Sequence, residues 1–175
     1  GETGEYDRLY SEQNRIWVDI DKIPVDLKEA FISIEDERFP THHGVDWKRT
    51  TGAIFKWFLS KDSAYGGSTI TQQLIKNVTG EKDRSPIRKI QEIVRALNLE
   101  RKMSKDEIIE MYMNTIYLGQ GCHGVQTAAN KYYSKDVSEL SLAECASIAG
   151  ITQYPAKYDP LLNFEAHKQK QEVVL

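Results

Sequence analysis

GGSTITQQLIKN, residues 66–77, is the most informative stretch of this chain. Gly66 and Gly67 free the backbone, and hydroxyl, amide and ammonium groups then arrive together at what reads as a helix start. Thr69 and Gln72 have capping-box spacing, in which each side chain satisfies an orphan backbone N–H of the first turn. A helix N-terminus carries partial positive charge, so the glycines ahead of it and Lys76 one to two turns in suit an anion such as a phosphate. The same spacing also suits an ordinary capped helix, because loose Gly-Ser-Thr clusters are common.

Upstream, AFISIEDERFPTHHGVDW (30–47) carries the second unusual pattern. Leu27, Ala30, Phe31 and Ile34 recur at i, i+3, i+4 and i+7, the apolar stripe of a helix packed on a core. Glu35 continues that stripe, while Asp36 is rotated about 100° away, toward solvent. Pro40 cannot continue a helix, so the element running from Pro24 stops near Glu37 to Phe39. Glu35 then sits on the buried edge of a last turn, at the negative end of the helix dipole. Desolvation and dipole both disfavour its charged form, which makes it a candidate general base or acid. A surface Glu at a fraying helix end is the plainer alternative.

Downstream, a helix is predicted over 86–103, with Ser85 as N-cap and Pro86 at its first position. Arg88, Gln91, Arg95, Asn98 and Lys102 gather on one polar side; Ile87, Ile90, Ile93, Val94, Ala96, Leu97, Leu99 and Met103 make the rest broadly apolar. Lys89, Glu92 and Glu100 fall inside that apolar arc, where charges are costly unless paired. They read either as a site or as a structural ion-pair network from Lys89 to Glu92 or onward to Glu100. Ser104 with Glu107, and Ser141 with Glu144, are further capping boxes. Gly150 reads as a helix stop, Asn163 as the cap of a last helix, and Ile16 to Ile20 as one short extended candidate. Between Trp47 and Ser60, Ile54, Phe55, Trp57, Phe58 and Leu59 crowd beside Lys48, Arg49 and Lys56, which fits either a core element or a basic helix lying in a membrane interface.

Composition bounds these readings. With 175 residues, 40% hydrophobic and 28% charged, the chain suffices for one domain with its own core. A net charge of −3 argues against broad nucleic-acid binding, yet a local Lys/Arg cluster is enough for one diphosphate. Cys122 and Cys145 are too few for a disulfide scaffold; Cys145 lies in an apolar helical pattern, whereas Cys122 lies in a Gly-rich loop open to exposure. No run of 18 apolar residues and no signal peptide is present. Neither His42 nor His43 has the HExxH or paired-cysteine context of a zinc site.

EDERFPTHHG resembles the glutamate-aspartate pattern that opens the active site of the peptidoglycan glycosyltransferases, glycosyltransferase family 51. GGSTITQQLIKN is similar to that family's second motif at nearly every position, RKIQEIVRALNLE (88–100) to its third and KDEIIEMYMNTIYLG (105–119) to its fourth. The stretch from Leu140 through AGITQYPAKYDP is similar to the fifth, so ordered motifs cover most of the chain between Ile23 and Pro160. Cys122-His123 departs from the pattern, standing where relatives usually have small or aromatic residues.

The resemblance implies the glycosyltransferase domain of a class A penicillin-binding protein or a monofunctional relative. Such enzymes polymerise lipid II into glycan strands on the outer face of the bacterial cytoplasmic membrane. It implies a mainly α, lysozyme-like fold, one domain over residues 1–175, with a larger globular lobe and a small membrane-facing jaw at about 47–66. Phe55, Trp57, Phe58 and Leu59 of the jaw would meet the bilayer, and a cleft would hold Glu35 and Glu92. A native N-terminal transmembrane anchor, and any transpeptidase domain, would lie outside this sequence.

By resemblance Glu35 is the general base for the acceptor 4-hydroxyl. Glu92 is the second carboxylate, which orients cations, positions substrate, or holds a divalent ion (Mg or Mn) against the diphosphate; no organic cofactor is implied. Lys76, Arg88 and Lys89, helped by Arg49 and Arg84, face the undecaprenyl diphosphate leaving group. Gly67 joins the substrate loop, and Ser68, Thr69, Gln72 and Gln73 offer hydrogen bonds to sugar or phosphate oxygens. Asn77 buttresses that loop, Asp36 stands behind Glu35, and His42 orients its turn. The implied partners are lipid II, the nascent glycan strand, the membrane surface and moenomycin-type inhibitors, with no nucleic acid. Two rivals share features: glycosidases and lytic transglycosylases also use a Glu at a helix end but need no cationic cluster, and an inactive lipid II-binding module needs neither carboxylate.

Overall fold

The computed structural model describes residues 16–52, 67–80 and 85–175. The jaw residues Phe55, Trp57, Phe58 and Leu59, all of the Lys61–Gly67 loop but Gly67, and Arg84 lie outside the described residues. Seven helices are described in full: α1 (Val25–Glu35), α2 (Ile70–Thr79), α3 (Pro86–Glu100), α4 (Lys105–Thr115), α5 (Val125–Tyr133), α6 (Leu142–Ile151) and α7 (Phe164–Val174). Residues 47–52 are also helical, and 3-10 turns occupy Ile20–Lys22 and Val137–Glu139. Among the described residues there is no strand, only an isolated antiparallel bridge between Tyr117 and His123. The chain divides into two compact units, Gly1–Phe31 with Met113–Leu175, and Ile32–Tyr112.

In the first of these, α6 is buried at every position from Cys145 to Ile151, as its near-continuous apolar sequence requires. The expected stop at Gly150 is wrong: the helix continues to Ile151, and a Cβ at Gly150 would lie 3.1 Å from Lys170 Cγ of α7, so the glycine admits a neighbouring helix. The extended candidate Ile16–Ile20 forms no strand. Instead, the Val18 N–H donates to Asn114 Oδ1 and Asn114 Nδ2 donates to the Val18 carbonyl, both at 2.8 Å, so one amide side chain supplies what a neighbouring strand would. Cys122 is buried rather than exposed, and like Cys145 it is a free thiol. Burial pushes both thiols up, Cys145 to about 11, so both stay protonated and unreactive at neutral pH.

In the second unit, α2 packs on α3 around Val45, Ile75 and Ala96, with Ile93, Leu97 and Leu99 against them. The apolar arc predicted for α3 is narrower than expected, because Ile87, Ile90 and Val94 are exposed. Gly44 fixes how closely the preceding loop lies on α3. Its φ is +87°, and a Cβ there would stand 2.6 Å from the Ala96 carbonyl oxygen. Only a residue without a side chain accepts both conditions.

Candidate active site

α1 ends at Glu35, earlier than its periodicity suggests, because the Phe39 N–H turns back onto the Asp36 carbonyl at 2.7 Å. With the helix finished, its 100° rotation no longer sets the direction of Asp36. That carboxylate is fully buried instead of facing solvent. Its Oδ2 accepts from the Ile70 N–H at 2.9 Å and lies 2.8 Å from His42 Nε2, while Oδ1 is 3.7 Å from Arg49 Nη1. Ile70 is the first residue of α2, so the anion seated on this helix N-terminus is the chain's own carboxylate.

Thr69, the N-cap of that helix, also finds its partners within the chain. Thr69 and Gln72 form the predicted capping box, and Thr69 Oγ1 donates to the Gly44 carbonyl at 2.7 Å. Both side chains are wholly buried, and Gln72 Nε2 is left without a hydrogen-bond partner. Gln73, one position on, faces the other way: its Nε2 donates to Glu35 Oε2 at 2.7 Å, and its Oε1 accepts from the Tyr112 hydroxyl at 3.2 Å. Arg49 Nη1 donates to the Glu35 main-chain carbonyl at 2.6 Å, which caps the end of α1 with a cation, a favourable sign for the helix dipole.

Glu92 is the second centre. Although α3 is amphipathic, this carboxylate is buried, and Arg88 and Lys89 hold one oxygen each, Arg88 Nη1 at 2.7 Å. Lys89 Nζ also donates to Ser68 Oγ at 2.9 Å. Glu100 does not join this cluster. It accepts from Thr71 Oγ1 and pairs with Lys105 Nζ, both at 2.6 Å, and Lys105 in turn donates to the His42 carbonyl at 2.7 Å and lies over the Phe39 ring. The ion-pair network from Lys89 therefore ends at Glu92 and does not run onward to Glu100.

Residues 68–73 thus tie three carboxylates together: Ser68 through Lys89 to Glu92, Ile70 to Asp36, and Gln73 to Glu35. Gly67 is half-buried beside them, whereas Lys76 and Asn77 are exposed further along α2. Sequence reasoning missed Gly44, Lys105 and Tyr112. Lys105 had a signal, since a cation in the first turn of a helix opposes the dipole and asks for a partner. Tyr112 had none beyond its place on α4.

A divalent ion held by protein alone needs several oxygen ligands. Glu92 offers one carboxylate with both oxygens on cations, and among the described residues no three His, Cys, Asp or Glu side chains gather to hold a metal. The donor set at Glu92 does not fit such an ion.

The transglycosylase family model matches residues 2–175. Penicillin-binding protein 1F of Bacillus subtilis is 42% identical over 167 residues, which cover 95% of this chain and 23% of that protein. Penicillin-binding protein 1A of Escherichia coli is 41% identical over 172 residues, covering 98% of this chain and 20% of that one. The crystal structure of penicillin-binding protein 1A from Haemophilus influenzae superposes with a TM-score of 0.51 at 23% identity, over 93% of this chain and 15% of the other. That likeness places the chain in the mainly α, lysozyme-like class. The chain spans about a fifth of the length of the curated relatives it matches. No helix among the described residues is long and apolar enough to cross a membrane.

Proposed function

The chain belongs to the transglycosylase family, and on that premise we propose that it is a peptidoglycan glycosyltransferase that polymerises lipid II, with Glu35 as base and Arg88 and Lys89 as the diphosphate site. The acceptor 4-hydroxyl attacks the anomeric carbon of the growing strand on the face opposite the diphosphate. As the new C–O bond forms, the bond from that carbon to the diphosphate oxygen breaks and its electron pair leaves with undecaprenyl diphosphate. The hydroxyl proton passes to Glu35, and the configuration inverts.

The observation that carries this reading is that two carboxylates are tied to one helix start, and that one of them, Glu92, holds two cations. Glu35 accepts from the Gln73 amide, whereas Glu92 carries Arg88 and Lys89, one on each oxygen. A diphosphate is already a good leaving anion and needs positive charge more than a proton. Lys89 is partly exposed and keeps donors for it, while buried Glu92 holds both cations in register. Arg49 and His42 serve the Glu35 turn, and no step runs through a metal. The membrane-facing role of Phe55, Trp57, Phe58 and Leu59, and inhibition by moenomycin-type mimics of the donor, belong to the same proposal.

Purified protein incubated with lipid II should give glycan polymer. Glu35→Gln keeps the shape of the side chain and should lower the rate by at least about a hundredfold with the circular dichroism spectrum unchanged. Near-normal polymerisation by that variant would overturn the assignment.

A further inference from the structure

We propose that a cavity lined by α2, α3 and α4 binds a single-chain amphiphile with an anionic head, of the monoacyl phosphate kind. The cavity lies within the unit Ile32–Tyr112. Its volume of about 310 Å³ is at the small end of ligand pockets and suits one chain rather than two. Leu74 and Val78 of α2, Leu99 of α3 and Met111 of α4 supply its apolar lining. Leu74 is buried and Val78 is 41% exposed, so this lining runs from the interior out to solvent. A hydrocarbon chain laid along it would take that apolar surface out of water.

The polar part of the lining has one sign. Arg95, Asn98 and Lys102 recur on α3 at i, i+3 and i+7, which sets them in one row about 10 Å long with the amide between the two cations. Thr79, which also lines the cavity, turns its hydroxyl onto the Ile75 carbonyl at 2.9 Å. Among the described residues that line the cavity there is no Asp or Glu. The acids of α3 are engaged elsewhere, Glu92 by Arg88 and Lys89, and Glu100 by Thr71 and Lys105. In a chain of net charge −3, a row of positive charge therefore stands beside an apolar lining. A guanidinium, an amide N–H and an ammonium are the donors that a phosphate head accepts from. An uncharged chain gains nothing from the row and an inorganic anion nothing from the lining; an amphiphile with an anionic head uses both. The site draws on none of Glu35, Ser68, Gln73, Arg88, Lys89 and Glu92, so it is separate from the groups of the proposed reaction.

The test follows the methyl signals of the whole chain labelled with 13C-methyl methionine, the Met111 signal being identified by its loss in Met111→Leu. Decyl phosphate, added below its micelle concentration, should shift the Met111 signal saturably. Decanol and inorganic phosphate carry the two halves of the probe separately, and each should bind at least about tenfold more weakly. Lys102→Gln and Arg95→Gln should each weaken binding of decyl phosphate about tenfold while leaving that of decanol within about twofold. Val78→Trp, at an exposed position of α2, should fill the cavity and abolish binding of both chains. If that variant does not fold, the two charge variants still decide, since Arg95 and Lys102 are exposed. A Met111 signal that does not shift saturably, decanol binding as tightly as decyl phosphate, or charge variants that bind as well as the wild type would overturn the proposal. Displacement of decyl phosphate by a short-chain lipid II analogue would overturn it too, because the cavity would then belong to the donor site of the proposed reaction.

Discussion

Replacing Gly44 with alanine should be among the most damaging single-methyl additions in this protein. Two costs combine there. The backbone at φ +87° lies in the left-handed region, where a Cβ costs roughly 1–2 kcal/mol. The new methyl would also sit 2.6 Å from the Ala96 carbonyl oxygen and 2.8 Å from its carbon, so backbone and not a flexible side chain must yield. Overpacking of this kind costs about 1–3 kcal/mol. Together they give about 2–5 kcal/mol, a large part of the roughly 5–15 kcal/mol that holds a typical domain. For a chain of this size the melting temperature should drop by about 4–20 °C.

Two controls separate the terms. Gly80 has φ +64° with open space around it, so Gly80→Ala should show strain alone. Gly52 has neither a positive φ nor a neighbour within 4 Å and lies in the helical stretch 47–52, so Gly52→Ala should stabilise by about 0.5–1 kcal/mol. The assay is thermal and urea unfolding followed by circular dichroism. If Gly44→Ala is no worse than Gly80→Ala, the loop does not rest on the backbone of α3 and the geometry around Thr69 and Glu92 is wrong.

Thr69→Ala should lower stability by about 0.5–2 kcal/mol through loss of the cap, while the KM for lipid II in the folded protein stays near normal. Lys89→Ala should weaken lipid II use and calorimetric binding of moenomycin with little change in melting temperature, because Lys89 is more than a third exposed. Arg88→Ala should damage both activity and stability, since it strips a cation from a buried carboxylate; equal melting curves for the two variants would refute this division. Burial by itself raises the Asp46 carboxyl, but the Arg49 N–H and the Arg38 guanidinium outweigh it and hold it below 3.8. Its stabilising effect is therefore complete above the unfolded value and lost as pH falls through the folded one, so Asp46→Asn should flatten the stability curve below about pH 4, measured by urea unfolding across a pH series.

Much of this was legible in local pattern. The capping boxes at Thr69, Ser104 and Ser141 and the proline start of α3 depend only on neighbours along the chain, and the structure has each of them. The buried Glu92 followed from a helix wheel, because a charge on an apolar face must find partners. What failed depended on distant contacts. Asp36 was read as solvent-facing because periodicity cannot foresee that a helix start 34 residues later will claim it. Gly150 resembled a stop because the approach of α7 is invisible along the sequence. Ile87, Ile90 and Val94 looked interior because apolarity was the only cue available.

The seating of Asp36 on α2 bears on how a polymer could move through such an enzyme. Glu35 and Asp36 are adjacent, and each is tethered to the same helix, one through Gln73 and the other through the Ile70 N–H. Glu35 is therefore tied to the segment that begins with Ser68 and, through Lys89, reaches Glu92. In the proposed enzyme these bonds couple the two ends of the frame. In a polymerase built this way, translocation falls to the sugar chain: after each transfer the strand must slide by one repeat past a stationary frame, and release of its spent diphosphate clears the track.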